Sequence, residues 1–190
     1  MTKKYWINFL ALLVVFGVPW TRACAEPGVT DSEILIGQSA ALSGPAEQLG
    51  KQMRLGAQVY FDQVNQAGGI NGRKIRLLSI DDGYEPDRAK ANTAKLINEN
   101  NVFALFGYVG TPTSLAALPV FTEAKVPFVG PFTGAQALRE PFNRYIFNVR
   151  AGYNEETEEI VSHLLTLSLK RIAIFYQNDA YGQAGLKGVT

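Results

Sequence analysis

The stretch that most constrains this chain runs from Phe103 to Leu138, FALFGYVGTPTSLAALPVFTEAKVPFVGPFTGAQAL. It repeats one plan twice, a short apolar run followed by a loop of glycine, proline and hydroxyl residues. Phe103 to Phe106 is a continuous apolar run of strand length ending at Gly107, and Thr111-Pro112-Thr113-Ser114 then opens a helix. Thr111 is the expected N-cap and Pro112 the first helical residue. In the second unit Val126 to Val129 reads as a buried strand, and Gly130-Pro131-Phe132-Thr133-Gly134 leads towards another short helix. Parallel strands joined by crossover helices set such loops along one edge of a sheet, where ligands of open α/β folds collect. Helix N-termini at that edge offer unpaired N–H groups and the positive end of a dipole, which suits a carboxylate or a phosphate. Glycine, threonine and proline also serve ordinary turns, so either loop alone leaves the plain structural reading open.

The rest of the chain continues the alternation. Ile34 to Ser39 is the expected first strand, and Ala40 to Gly50, with Ser43-Gly44-Pro45, a loop. Met53, Gly56, Ala57, Tyr60, Phe61 and Val64 share helical spacing and predict one apolar stripe laid against a sheet. Asn71-Gly72 turns the chain into a second strand, Ile75 to Ile80. Asp81-Asp82-Gly83-Tyr84-Glu85-Pro86 follows as a strand-end loop, then a helix from Asp87 to Asn98 with Ala89, Thr93, Leu96 and Ile97 inward. Pro119 is expected to kink the third helix. Tyr145 to Val149 gives a fifth strand and Arg150-Ala151-Gly152 a connector. Tyr153 to Leu169 is expected to be helical, with Ile160, Val161, Leu164 and Leu165 buried, and Ile172 to Tyr176 to be another buried strand. Gln183 to Thr190 reads as the first turns of a helix. One helix and one strand after the connector enclose no core of their own, so the chain is expected to be a fragment.

The N-terminus has a different character. Lys3 and Lys4 precede an apolar stretch from Tyr5 to Val18, too short to span a bilayer but of signal-peptide length, and Ala23-Cys24-Ala25 supplies a small-residue cleavage site. Cleavage after Ala25 is expected, with lipidation at Cys24 as the alternative. Cys24 is the sole cysteine, so the mature chain would carry neither disulfide nor thiol chemistry. The charge of the whole chain is +1, and loss of Lys3, Lys4 and Arg22 takes it to −2. No basic run remains to follow a phosphate backbone, so nucleic acid is not an expected partner.

Catalytic motifs are sparse. Gly44 to Lys51, GPAEQLGK, has one residue too many between its glycines for a phosphate loop, and Gln52 stands where the hydroxyl residue belongs. Gly182, Gly185 and Gly188 lack the dinucleotide spacing, and no nucleophile elbow occurs. His163 shares a polar helix face with Glu156 and Glu159 and reads as solvated. Asp81 and Asp82 could bind a cation, but capping and turn-forming is the expected role. No enzyme activity, metal or cofactor is expected.

Ser43-Gly44-Pro45, Gly68-Gly69-Ile70-Asn71-Gly72, Asp81-Asp82 with Pro86, the Gly107 to Ser114 loop and Asp179-Ala180-Tyr181-Gly182 together give a family resemblance. The chain resembles the Leu/Ile/Val-type periplasmic solute-binding proteins of ABC importers over nearly all of Val29 to Thr190. The resemblance implies an α/β fold, a parallel-sheet Rossmann-like lobe of the type I periplasmic binding kind plus the truncated start of a second similar lobe. Residues 1–25 would be a signal peptide, 26–150 the N-terminal ligand-binding lobe and 151–190 the start of the second lobe. By position it implies that Thr111 holds a ligand carboxylate, flanked by Thr113 and Ser114. Phe132, Thr133 and Gly134 match the second ligand loop, and Tyr181 the aromatic residue brought over the ligand by the second lobe. Gly134 replaces a hydroxyl residue common in amino-acid binders, Phe132 is bulky where a small residue is usual, and Tyr84 and Gly110 stand where some members have a disulfide. The implied function is capture of a small carboxylated solute, an amino acid or related organic acid or amide, in the periplasm. The implied partners are that solute and the membrane permease subunits of an importer, with the protein itself a monomer. The alternative is a ligand-sensing domain of a receptor or regulator, which a membrane span or DNA-binding module elsewhere would reveal.

Overall fold

The computed structural model describes residues 26–190, so the expected signal peptide and cleavage site lie outside the described residues. The chain alternates β1 (Glu33–Ala40), α1 (Glu47–Gln66), β2 (Lys74–Asp81), α2 (Pro86–Asn98), β3 (Ala104–Phe106), α3 (Thr111–Ala124), β4 (Phe128–Val129), a 3-10 turn (Gln136–Leu138) and β5 (Ile146–Phe147). Helices α4 (Tyr153–Thr166) and α5 (Ala180–Val189) follow. The five strands form one sheet in the order β2-β1-β3-β4-β5, all parallel. Register is set by pairs such as Ile36 with Leu77 and Ala104, Leu105 with Phe128, and Phe128 with Ile146.

Alternation along β3 shows how the layers divide. Leu105 joins Leu35, Leu96, Val102, Tyr108, Ala117, Phe121 and Phe128 in the buried core under α2 and α3. The next residue, Phe106, points to the opposite face and meets Phe61 of α1, with ring centroids 5.6 Å apart. Inside the core the rings of Phe121 and Phe128 stack at 4.4 Å and 8°, and Tyr108 meets Phe128 edge-on at 5.0 Å. The Tyr108 hydroxyl shares a hydrogen bond of 3.0 Å with Thr93, so a buried phenol is satisfied within the apolar layer.

The strand–helix–strand reading holds through β5, with local corrections. On α1, Ala57 is buried and Met53, Phe61 and Val64 half-buried, but Gly56 and Tyr60 face outwards. The inward line starts instead at Gly50, where an added Cβ would lie 1.8 Å from the Ala41 carbonyl oxygen. The turn at Asn71-Gly72 forms as expected, with positive φ at both residues and Ile70 bridged to Arg73. Pro119 sits inside α3, which continues through it to Ala124.

Beyond the connector the expected burial is only partial, with Val161 and Leu164 half-buried on α4. Ile160 and Leu165 are exposed on α4, and Ile172 to Tyr176 forms no strand, with Phe175 fully exposed. A strand needs neighbours for its N–H and C=O groups, and among the described residues no strand lies beside this segment. His163 is exposed, as its polar face predicts.

Candidate functional site

The strand order reverses direction at β1, which has β2 on one side and β3 on the other. At such a point the loops after neighbouring strands diverge and leave a crevice beyond their carboxyl ends. A cleft of about 990 Å³ opens there. One wall is made by strand-end loops: Pro45 and Ala46 after β1, Gly83 to Glu85 after β2, Val109 and Gly110 after β3, and Phe132 after β4. The facing wall comes from Arg150, Tyr153 and Glu156 around the start of α4 and from Gln177 and Tyr181 around the start of α5.

Hydrogen bonds fix the first wall. Asp81 at the end of β2 accepts from the N–H groups of Leu42 and Gly83, at 2.8 and 2.9 Å, and from the Ser43 hydroxyl at 2.6 Å. The Arg88 guanidinium reaches it at 3.1 Å. Desolvation pushes against the charge, yet Ser43, Leu42, Gly83 and Arg88 together hold the Asp81 carboxyl well below the ordinary 3.8. Asp82 is fully buried, accepts from Ser39 and the Tyr84 N–H, and is raised by its burial. These carboxylates organise turns, as expected, although neither caps α2, whose N-cap is Glu85. No group of His, Cys, Asp and Glu suited to a metal ion occurs among the described residues.

Asp82 holds Tyr84 in a left-handed conformation, φ 69°, with its ring laid on Gly110. A Cβ on Gly110 would stand 2.4 Å from that ring, and Gly110 itself has φ 104°. Glycine is required here twice over, by contact and by backbone. Burial pushes the Tyr84 phenol up to about 12, and the nearby Asp179 carboxylate adds to the effect.

Gly110, not Thr111, is the N-cap of α3. The Thr111 hydroxyl instead pairs with that of Thr133 at 2.6 Å, and both residues are buried, so this bond ties the β3 loop to the β4 loop. Thr113 turns back to the Val109 and Gly110 carbonyls. Ser114 is buried, and its hydroxyl finds no partner among the described residues. Phe132 and Tyr181 line the cleft and are partly exposed. Gly134 is buried beneath the ring of Tyr153, whose N–H donates to the Gly134 carbonyl at 2.8 Å. A Cβ at Gly134 would come within 2.6 Å of that ring.

The structure therefore brings the expected residues into one neighbourhood but divides them. Phe132 and Tyr181 face the cavity, while Thr111, Thr113, Ser114, Thr133 and Gly134 form the packed floor behind it. It also adds Tyr84, Arg150 and Tyr153, which sequence reasoning passed over as site residues. The signal was present in the two bare positions, Gly110 and Gly134, each of which receives one of the added rings.

A family model described as periplasmic binding protein matches residues 33–190. The chain is 28% identical to an amino acid binding protein of Pseudomonas aeruginosa, over 100% of this chain and 50% of that protein. It is 32% identical to the Leu/Ile/Val-binding protein BraC3 of Rhizobium johnstonii, over 80% of this chain and 41% of the relative. Among solved structures it superposes on a possible leucine/isoleucine/valine-binding protein from Rhodopirellula baltica with a TM-score of 0.80 and 40% identity, covering 88% of this chain and 44% of the other. The chain thus spans about half the length or less of the relatives it matches. These relatives are binding proteins rather than enzymes. With its parallel sheet, its strand-end cleft and this match over most of its length, the chain belongs to the periplasmic binding protein family, in the type I, Leu/Ile/Val-binding-protein-like branch.

Proposed function

We propose that this chain is part of the extracytoplasmic solute-binding component of an ABC importer, capturing a small carboxylated solute between two lobes. Residues 26–150 supply the first lobe in this reading and 151–190 the start of the second, with residues 1–25 removed on export to the periplasm. The observation that carries the reading is the cleft at the reversal of strand order, walled on one side by strand-end loops and on the other by α4 and α5. Thr111, Thr113, Ser114, Thr133 and Gly134 form the floor that positions the ligand loops, Phe132 contacts the solute, and Tyr181 covers it. The Thr111–Thr133 bond keeps the two loops in register, and Tyr181 reaches the same space from α5.

The test uses the complete protein. Mass spectrometry of solute released on denaturation, followed by calorimetry with amino acids, amides and organic acids, is expected to show a single saturable site for a carboxylated solute. A tightest ligand without any anionic group would overturn the reading. Intact-mass analysis of the exported protein checks the N-terminus, which is expected at Glu26 rather than at a lipidated Cys24.

A further inference from the structure

We propose that the solute selected by this cleft is an aromatic carboxylate, its anionic group held by Arg150 and its ring placed among Tyr84, Phe132, Tyr153 and Tyr181. The proposal rests on the solute-binding reading above and narrows it.

One basic side chain in the lining can meet an anion. Arg150 is its one basic residue, against Glu85 and Glu156. A guanidinium offers two edges to carboxylates, and Glu156 takes one of them, accepting from Nε at 3.2 Å and Nη2 at 2.6 Å. The Nη1 amino group, which shares the other edge with Nη2, donates to no partner among the described residues. Both side chains are about one-third exposed, 31% and 33%, and both line the cleft.

The rings then fix where the group is presented. The guanidinium centre lies 5.8 Å from the Phe132 ring centroid and 5.2 Å from that of Tyr153. Tyr153 meets Tyr181 edge-on at 5.4 Å, and Tyr84 lies on Gly110 across the cleft. A planar ring offers edges and faces to such a set, whereas a branched aliphatic chain offers neither. The lining offers an α-ammonium little charge complement: of its two carboxylates, Glu156 is engaged by Arg150 and Glu85 is exposed to solvent. Glu156 in this account orients Arg150 and competes with the ligand for it.

Calorimetry of the complete protein with benzoate, 4-hydroxybenzoate and phenylacetate, their neutral amides, L-leucine and L-phenylalanine tests the proposal. The best aromatic acid is expected to bind at least tenfold more tightly than its amide and than either amino acid. Arg150→Gln should weaken that acid ten- to a hundredfold and shrink the gap between acid and amide, while Glu156→Gln should tighten it by removing the competing carboxylate. Opposite signs in the two variants separate ligand capture from a merely structural ion pair, and near-ultraviolet dichroism confirms that each variant is folded. Equal weakening in both variants would overturn the role of Arg150. Tightest binding of L-leucine would overturn the aromatic carboxylate while leaving the solute-binding reading intact, and tightest binding of a neutral compound would overturn both.

Discussion

Ala104–Phe106 and Ile172–Tyr176 look alike as sequence, each lying in a short continuous apolar run between turn residues, yet only the first is a strand. The first lies between β1 and β4 and exchanges ladder bonds on both sides, such as Phe103 N–H to the Leu35 carbonyl and Leu105 N–H to the Pro127 carbonyl, both 2.8 Å. The second has no neighbouring strand among the described residues and exposes its side chains. An apolar run therefore encodes a capacity for burial, and the partner decides whether a strand forms.

Substitutions should separate the two regions sharply. The largest effect is expected for Phe128→Ala, which empties a site between the Phe121 and Tyr108 rings and should destabilise the fold by about 3–5 kcal/mol. In the 190-residue chain, Ile174→Ala in the unpaired run should stay within about 0.5 kcal/mol, as for a surface position. Denaturant unfolding of both variants measures the contrast, and equal losses would break it.

A middle-sized effect comes from the adjacent aspartates, which should respond oppositely to pH. Asp81 is held below 3.8, so its stabilisation is present above that value and is lost as pH falls towards its folded value. Asp81→Asn should destabilise by about 1.5–3 kcal/mol near neutrality and progressively less below pH about 4. Asp82 is raised by burial, so its charged form weakens the fold as pH rises through and above 3.8. Asp82→Asn should therefore be tolerated better at pH 7 than at pH 3. Parallel pH profiles for the two variants would contradict the assigned environments. A smaller loss than that of Asp81→Asn is expected for Thr111→Val, which removes the hydroxyl pair linking two loops and should lower stability by about 1 kcal/mol.

Much of the sheet was legible because β1, β2 and their helices carry strong periodicity and Asn71-Gly72 marks the turn between α1 and β2. The expected site residues were legible as one neighbourhood, with Phe132 and Tyr181 on the cleft and Thr111, Thr113, Ser114, Thr133 and Gly134 packed behind it. Thr111 has the residue type of an N-cap, yet Gly110 takes that position because only glycine accepts its φ beneath the Tyr84 ring, and the freed hydroxyl turns to Thr133. Arg150 reads as part of a connector in the sequence, because Phe132, Tyr153 and Glu156 converge on it only in space. Local sequence spacing carries no information about that convergence. Ile160 and Leu165 show the reverse case, helical spacing that predicts burial where the described fold provides no cover.

The central claim is that the sheet loops and the α4–α5 region hold one solute together. Amide hydrogen exchange of the complete protein, with and without saturation by the tightest carboxylate from the calorimetric panel, tests it most directly. The account predicts joint protection of residues 109–114 and 132–135 on one wall and of 150–157 and 177–182 on the other. Protection confined to one wall, or none at either, would contradict it.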